Sequence, residues 1–437
     1  MVLLWTVKHG MGYVRSETYF AIFYFCRNYN TKHNGALVLN TGIENRTEEI
    51  AASQNYTNIR FFRVGKLTSD KQENDLIGER DGWTEWASPA TDDGDMLMDF
   101  SAICFLYARG ISDHLGNKPL GLIASAYAGT HIEAWSPPET LKSCDIDNYI
   151  DEKHDYNSNS YLYNAMVHPF HKMCLKGVLW YQGESNSFWN TEKYKCMLQN
   201  MFFDWRNRWS QNSNTDNNFP IGVVTLGPFA NPPTQEITRK DVGDYFPLIR
   251  WHQTFDYGFL PNSVEENGFM AIAMDTYYNG TEHPHNKQLT AYRLAVAGLS
   301  IAYQMSQFPS RGPFPTEIKF IDMNDDGNIY IEVTYDEDPI SYIPEENSGF
   351  FYCCGENNSS TCQGDNVVPA SDWKVLDFDN VMQTATNQIT VNVALCNGPS
   401  SLGYLWAESP VTITHGLPIY SSNQYGLPAA PWWYPLY

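Results

Sequence analysis

The sequence predicts an α/β protein with a parallel sheet, followed by a smaller antiparallel β domain. From about residue 35 to 310, short apolar runs alternate with amphipathic stretches, which is the pattern of βαβ units. After residue 311 the strand-like runs are separated by Asn, Gly and Pro, which is typical of antiparallel strands. The chain has 437 residues, 15% of them aromatic, so a large buried core is expected.

Individual elements follow from the same patterns. Uncharged apolar runs predict strands at residues 119–125, 177–181, 221–226 and 269–274. Helical periodicity predicts helices at residues 96–109, 194–209 and 287–305. Strand-like runs in the last part lie at residues 318–321, 329–334, 389–394 and 404–406. The predicted organisation is an unassigned segment at 1–34, an α/β domain at 35–310 and a β domain at 311–437.

The charge of the chain excludes some classes of partner. Its formal net charge is −22, from 28 Lys plus Arg and 50 Asp plus Glu. Because it has no Lys/Arg cluster to contact phosphates, we expect no nucleic-acid partner. A strongly anionic surface also fits anionic lipid poorly. No segment stays apolar for about 18 residues, so no membrane span is predicted.

Cysteines and glycosylation sites favour the secretory pathway. Nine cysteines are present, and Asn-X-Ser/Thr sites occur at Asn45, Asn55, Asn279, Asn357 and Asn358. The odd number leaves at least one thiol without a partner in the chain. We predict at least one disulfide among Cys353, Cys354, Cys362 and Cys396. The first residues match no signal peptide, which disagrees with this interpretation and suggests a chain whose true beginning is not included.

Polar segments follow three of the predicted strands. A glycine turn at 125–135, a Gln/Glu/Asn turn at 180–186 and an Asp/His segment at 275–287 come after them. Acyl transfer needs such groups, namely donors for an oxyanion and a histidine base with an orienting partner. His252, His283 and His285 could bind zinc, but no carboxylate or cysteine spacing supports such a site. Residues 322–327 resemble the start of a calcium-binding loop. The twelfth position of such a loop is a glutamate, but here it is Val333, so a hairpin turn is favoured.

Longer strings within these segments resemble a known family. Gly129-Thr-His-Ile-Glu-Ala-Trp135, Trp180-Tyr-Gln-Gly-Glu-Ser-Asn186 and His283-Pro-His-Asn-Lys-Gln288 resemble motifs of the sialate O-acetylesterases in the SGNH-hydrolase superfamily. The likeness runs from about residue 36 to the end. It implies a three-layer, flavodoxin-like parallel sheet with a C-terminal β domain. It also implies removal of O-acetyl groups from sialic acids, in lysosomes or outside the cell, without a metal or other cofactor.

The resemblance implies a role for individual residues. His283 corresponds to the catalytic base, while the Gly129 amide and the Gln182 side chain correspond to oxyanion donors. Glu184 is expected to brace them. The acid that orients His283 is left open between Asp275 and Glu282, with a Ser–His pair as the third possibility. Two residues are assigned to the substrate, Arg250 and Asn186, the first because a guanidinium suits the sialate carboxylate.

The nucleophile is where the chain departs from the family. The family has a Gly-Gln-Ser-Asn-Met turn after its first strand, and by register this turn should precede Ala36. Residues 32–35 are instead Lys-His-Asn-Gly, and no serine occurs between Ser16 and Ser53. We therefore expect the first strand and the nucleophile turn to be missing. Ser125 and Ser185 are possible substitutes, but neither lies in a Gly-X-Ser-X-Gly elbow.

Three hypotheses about function stay open at this point. The first is an esterase for O-acetylated sialic acids whose beginning is incomplete or misread. The second is a catalytically dead, sialoglycan-binding homologue. The third is an esterase for another acetylated sugar.

Overall fold

The computed structural model describes twelve segments of the chain. They comprise residues 22–27, 43–77, 86–90, 100–116, 118–228, 245–276, 285–321, 329–344, 348–354, 373–393, 399–410 and 416–436. For residues 22–27 and 399–400 the description covers the backbone alone. His283, Glu282, Cys362, Cys396 and residues 322–327 lie outside the described part, so the predictions made for them are not addressed by the fold.

A six-stranded parallel sheet forms the first half of the molecule. Its order is β2-β3-β1-β4-β5-β6. Strands β3 to β6 are buried along their whole length, which explains why they appear in the sequence as continuous apolar runs. The strands are β1 (Ile22–Arg27), β2 (Ile59–Arg63), β3 (Leu120–Ser125), β4 (Gly177–Trp180), β5 (Ile221–Val224) and β6 (Gly268–Ala271).

Strand β1 corrects one prediction made from the sequence. It pairs in parallel with β3 on one side and with β4 on the other, so it lies inside the sheet. The expectation that the first strand is missing is therefore wrong, and the segment 1–34 contributes to the α/β domain. The interpretation failed because the five-residue apolar run at 22–26 is followed by none of the motif residues by which the family was identified.

Helices cover both faces of the sheet and make three layers. Alternate residues of a strand point to opposite faces, so Trp180 packs in the cluster that contains Trp205, while Leu179 packs with Tyr107 and Leu294. The predicted three-layer α/β class is confirmed. The helices are α1 (Arg46–Ser53), α2 (Ala102–Leu115), α3 (Ile132–Trp135), α4 (Pro138–Ser143), α5 (Tyr161–Met166), α6 (Tyr194–Asn212), α7 (Phe246–His252) and α8 (Lys287–Ile301).

The last part of the chain is antiparallel, as predicted. It forms two four-stranded sheets, ordered β11-β10-β14-β16 and β12-β13-β8-β7, and a two-stranded pair, β15-β9. In the terminal aromatic stretch Trp432 is buried and stacks on Tyr404, so it serves packing rather than sugar binding. The strands are β7 (Pro315–Ile321), β8 (Tyr330–Tyr335), β9 (Ile340–Tyr342), β10 (Phe350–Cys354), β11 (Lys374–Val375), β12 (Val381–Ala385), β13 (Gln388–Asn392), β14 (Pro399–Tyr404), β15 (Ile419–Ser421) and β16 (Trp432–Pro435).

Disulfides are present in both parts of the chain. Cys144, just after α4, is bonded to Cys196 in α6. Cys353 and Cys354 are also disulfide-bonded, in the β domain where a disulfide was predicted. Among the described cysteines Cys174 is free and exposed, which agrees with the odd total. No helix of the described segments is long and apolar enough to cross a bilayer.

We expect the Cys144–Cys196 disulfide to stabilise the α/β domain strongly. It closes a loop between positions 52 residues apart, and chain entropy predicts a contribution of about 4 kcal/mol for a loop of that length. Changing both cysteines to serine should lower the free energy of unfolding by roughly this amount in urea denaturation. Cys174→Ser is the matched control and should change it little. An equal loss in the control variant would contradict the prediction.

Candidate functional site

The site lies at the carboxyl edge of the sheet, where three neighbouring strands end together. Arg27 at the end of β1 is in register with Ser125 on β3 and with Trp180 on β4. The loop after β3 and the turn after β4 therefore lie on either side of the residues that follow β1. Ligands of parallel α/β sheets bind at this edge.

Gly129 lies in the loop after β3 with a left-handed backbone. Its φ is +65°, and a Cβ there would meet no atom within 4 Å, so glycine is required for the backbone angle rather than for space. Asn157 holds the loop, because its Nδ2 donates to the Gly129 carbonyl at 3.1 Å and its Oδ1 accepts from the His131 amide at 3.0 Å. Within the described part of the chain the Gly129 N–H meets no acceptor. Its role as an oxyanion donor stays a prediction.

The turn after β4 is joined to this loop by buried side-chain hydrogen bonds. Gln182 Nε2 donates to the Thr130 carbonyl at 3.1 Å and to Asn186 Oδ1 at 2.7 Å. Asn186 Oδ1 also accepts from the Ile132 amide at 2.9 Å, and its Nδ2 donates to Glu133 Oε2 at 3.0 Å. The two family-like strings thus form one connected polar network.

Gln182 is held on its other side as well. Tyr194 O–H donates to Gln182 Oε1 at 3.0 Å, and Gln253 Nε2 donates to the Gln182 carbonyl at 2.9 Å. Both hydrogens of the Gln182 amide are directed at internal acceptors. Its role as an oxyanion donor stays a prediction, and it requires that one of these two bonds be exchanged for the substrate.

The contacts of Asn186 indicate a structural role. The side chain is fully buried, and its oxygen and its nitrogen each have two partners, the second partner of Nδ2 being the Trp189 carbonyl at 3.1 Å. The assignment of Asn186 to the substrate is therefore replaced by a role in joining the two loops.

Sequence reasoning missed three residues of this network, Glu133, Tyr194 and Gln253. Glu133 is buried and accepts from Asn190 Nδ2 at 2.7 Å as well as from Asn186. Burial raises the pKa of Glu133, and the two amide donors oppose that shift. Its position inside the Gly129–Trp135 string was the available signal. Gln253 ends the string Ile249-Arg-Trp-His-Gln253, which also resembles the family, whereas Tyr194 lies outside the strings that do.

The hydrogen-bond network predicts that the isosteric change Asn186→Asp destabilises the fold. Asn186→Asp would put a second carboxylate oxygen where Nδ2 now donates to Glu133, at 3.0 Å. Two buried carboxylates at that distance cannot both ionise. We expect the free energy of unfolding to fall by about 3–5 kcal/mol at pH 7, as when one partner of a buried charge interaction is made unfavourable.

The stability lost in Asn186→Asp should be larger at high pH than at low pH. The shared proton raises the pKa of the pair in the folded state above the unfolded value, so stability is regained as pH falls through the raised pKa. Urea unfolding at pH 7 and pH 5 measures this. Exposed Asn148→Asp is the control, with little change at either pH. A loss that is the same at both pH values would show that the carboxylates do not meet.

Asp275 is engaged by a buried ion pair. Its two oxygens accept from Arg293 Nη1 and Nη2, each at 2.6 Å, and Oδ2 also accepts from Tyr420 O–H at 2.6 Å. Although burial opposes ionisation, Arg293 and Tyr420 hold the pKa of Asp275 below its ordinary value. Asp275 therefore ties α8 to the C-terminal β part. Its role as the acid that orients His283 stays a prediction.

Arg250 is buried among backbone carbonyls. Its guanidinium is 0% exposed and donates to four backbone carbonyls at 2.6–3.1 Å. These carbonyls belong to the end of the β5 region and to a C-terminal segment, namely Leu226, Gly227, Ala407 and Glu408. The assignment to the sialate carboxylate is therefore replaced by a structural one.

The two serines considered as substitutes occupy different environments. Ser125 is fully buried, and its Oγ donates to the Met166 carbonyl at 3.0 Å, so it is not a nucleophile in this arrangement. Ser185 is half-buried in the 3-10 turn Glu184–Phe188.

His252, one of the three histidines weighed as zinc ligands, lies beside Asp256. Its Nδ1 is 2.6 Å from Asp256 Oδ1.

His283 lies outside the described residues, but the segment just after it is held firmly. The Glu44 amide donates to the His285 carbonyl at 3.0 Å, and Gln288 Nε2 donates to the Glu44 carbonyl at 2.6 Å. Helix α8 then starts with Asn286 as its cap, accepting from the Leu289 amide at 3.0 Å. The start of α8 is thus fixed to the residues that precede α1.

Comparisons with known proteins show which family the chain is similar to. Residues 65–248 match the family model for carbohydrate esterases described as sialic acid-specific acetylesterases, and residues 321–436 match that for the sialate O-acetylesterase C-terminal domain. Human sialate O-acetylesterase is 32% identical over 401 residues, covering 89% of this chain and 71% of the human protein. The mouse enzyme is 33% identical over 354 residues, covering 72% and 63%. A carbohydrate acetylesterase from Xanthomonas citri shares the fold, with a TM-score of 0.71, 21% identity and coverage of 95% and 81%.

Proposed function

Because the chain belongs to the sialate O-acetylesterase family, we propose that it acts on O-acetyl esters of sialic acids. The observation that supports this most directly is the connection of two family strings at the carboxyl edge of the sheet. Gln182 and Asn186 join the Gly129 loop to the β4 turn on either side of the end of β1. An esterase needs oxyanion donors beside its nucleophile, and these two segments place candidate donors on either side of the residues that follow β1.

The proposed reaction is a two-step ester hydrolysis. A serine attacks the acetyl carbonyl while His283 takes its proton, and water then releases acetate from the acyl-enzyme. The amide of Gly129 stabilises the oxyanion, with Gln182 as the second donor. One such donor contributes roughly 2.7–4 kcal/mol to the transition state. Glu184 braces the turn, and Asp275 and Glu282 stay open as the acid that orients His283.

The nucleophile decides between this activity and a second candidate function. Residues 28–42, which follow β1, contain neither serine nor cysteine. That observation favours a homologue that binds O-acetylated sialoglycans without cleaving them. We therefore define a serine-restored chain, in which residues 28–31 are replaced by Gly-Gln-Ser-Asn directly after Arg27.

Ligand binding and acetate release together test the proposal. We expect the chain to bind O-acetylated sialic acid in calorimetry, and the serine-restored chain to release acetate from it in preference to acetylated xylose. Preference for acetylated xylose would support the third hypothesis, an esterase for another sugar. Absence of binding to either ester would overturn the proposed substrate class.

We also propose that the protein works in lysosomes or outside the cell. The Cys144–Cys196 bond and the sequons support this, because disulfides persist in oxidising compartments. Endoglycosidase treatment of protein from secreting cells should lower its apparent mass. Protein recovered unglycosylated and with free thiols at Cys144 and Cys196 would argue against this location.

A further inference from the structure

A patch of partly exposed apolar side chains lies beside the two loops of the candidate site. Trp189 is 37% exposed, and Phe188 and Ile150 are each 55% exposed. The centroid of the Trp189 ring is 5.3 Å from that of His131 and 5.1 Å from that of Tyr149. Because Phe188 precedes Trp189 and Ile150 follows Tyr149, these five residues make one surface, which we call the aromatic patch.

The aromatic patch is tied to the candidate site by hydrogen bonds. The Trp189 carbonyl accepts from Asn186 Nδ2 at 3.1 Å, and Asn186 is the side chain that joins the two loops. His131 is two residues after Gly129, and its amide donates to Asn157 Oδ1 at 3.0 Å. A ligand that occupies the site therefore has the aromatic patch beside it.

The rings of the patch are uncharged and held in place. The His131 and Trp189 rings are nearly parallel, at 9°, and Tyr149 contacts Trp189 as well. Burial lowers the pKa of His131 to about 4, although Asp151 opposes that shift, so the imidazole is neutral at pH 7. A ring that is already fixed loses little conformational entropy when a ligand packs on it. Exposed clusters of this kind commonly mark binding sites.

Charges around the aromatic patch favour an uncharged occupant. Residues 145–153, the segment that contains Tyr149 and Ile150, include four carboxylates and one lysine. A negatively charged group would be repelled there, and a second copy of this chain, with its net charge of −22, is disfavoured for the same reason. The patch is also much smaller than the roughly 20–30 residues that each partner contributes to a stable protein–protein interface.

A neutral sugar has the properties that the patch and its surroundings require. One face of a pyranose ring presents C–H bonds that pack on an aromatic ring, and the hydroxyls at its rim donate hydrogen bonds to carboxylates. We propose that the aromatic patch is a subsite for the neutral sugar to which the O-acetylated sialic acid is linked in a glycan. The inference rests on the proposed function, and it adds that the substrate is a sialoglycan rather than free sialic acid.

Calorimetry with two ligands that differ in the neutral sugar tests the subsite. The probes are free O-acetyl sialic acid and O-acetyl sialyllactose, which carries lactose in addition. The chain should bind O-acetyl sialyllactose more tightly by about tenfold or more, since one sugar stacked on a fixed ring contributes about this much. Trp189→Ala should remove that advantage and leave the affinity for free O-acetyl sialic acid nearly unchanged. Phe188→Ala should remove part of the advantage.

Two further variants separate the subsite from a general effect on folding. Phe320→Ala is the matched control, because Phe320 is a 50% exposed aromatic side chain on β7, in the antiparallel part of the chain. It should keep the whole advantage of O-acetyl sialyllactose. Trp189→Phe keeps a ring at the patch and should recover part of the advantage that Trp189→Ala loses.

The outcomes that contradict the subsite are distinct from those that contradict the proposed function. Equal affinity of the parent chain for both probes, or an advantage that Trp189→Ala retains, would overturn the subsite alone. If the chain binds neither probe, the proposed function fails, and calorimetry with lactose alone then decides. Lactose binding that Trp189→Ala abolishes would uphold a neutral-sugar subsite, and absence of lactose binding would overturn it.

Discussion

Hydrolysis of O-acetyl sialic acid or 4-nitrophenyl acetate by the chain as it stands should be slower than that by the serine-restored chain by roughly four to six orders of magnitude. Residues 28–42 contain neither serine nor cysteine, so the proposed base, His283, would have no nucleophile to activate at the end of β1. Binding and oxyanion donors alone leave a small residual rate when the nucleophile of a hydrolase is removed. Single-turnover acetate release from both proteins at equal concentration measures the ratio.

The position of the replacement follows from β1. Its last residue, Arg27, is in register with Ser125 and Trp180, so a turn that begins at residue 28 starts between the Gly129 loop and the Gln182 turn. Replacing residues 28–31 keeps the chain length. The sequence alone had suggested residues 32–35, because the strand at 22–27 was not predicted.

Three variants of the serine-restored chain serve as controls. Replacing residues 28–31 by Gly-Gln-Ala-Asn instead should give no gain, His283→Ala should abolish the gain, and Gln182→Ala should reduce it by roughly two to three orders of magnitude. Strong activity of the original chain that is lost in Ser185→Ala would show that the nucleophile lies in the β4 turn instead. Activity that survives His283→Ala would dispose of the mechanism.

The parts of the site that were predictable are those encoded locally. Gly129 and Gln182 stand in short strings that follow strongly apolar strands, and parallel strands bring their carboxyl ends to one edge. That rule places both loops at the same edge of the sheet, where the bond from Gln182 to the Thr130 carbonyl joins them. Strand β1 was not predicted because five apolar residues without a recognisable neighbouring motif do not distinguish a central strand from other short apolar runs.

The parts that were not predictable depend on distant partners. Residue type indicates that Arg250 and Asp275 will have charged or polar partners, but not which ones. Arg250 meets Ala407 and Glu408, about 157 residues further along the chain, and Asp275 meets Tyr420, 145 residues further. Only the packing of the C-terminal β part onto the α/β domain brings these groups together. Chemistry that suits a ligand equally suits a buried carbonyl, so sequence reasoning assigned Arg250 to the substrate.

We therefore expect Arg250→Met to lower the stability of the fold rather than to weaken substrate binding directly. The guanidinium donates to four buried carbonyls, and its removal leaves all of them without that donor. Each buried polar group left unpaired costs about 1–3 kcal/mol, so we expect the free energy of unfolding to fall by at least about 4 kcal/mol. That is a large part of the total stability of a typical domain.

Urea unfolding of a graded series separates this role from substrate binding. Arg250→Lys keeps the charge but loses the planar fork of donors, so it should fall between the parent and Arg250→Met. Arg208→Met is the matched control, because Arg208 pairs with the exposed Glu139 at 2.6 Å, and such surface pairs contribute about 0–1 kcal/mol. The opposite outcome is a free energy of unfolding for Arg250→Met within about 1 kcal/mol of the parent's, together with weaker binding of O-acetyl sialic acid. In that case the guanidinium binds the substrate carboxylate.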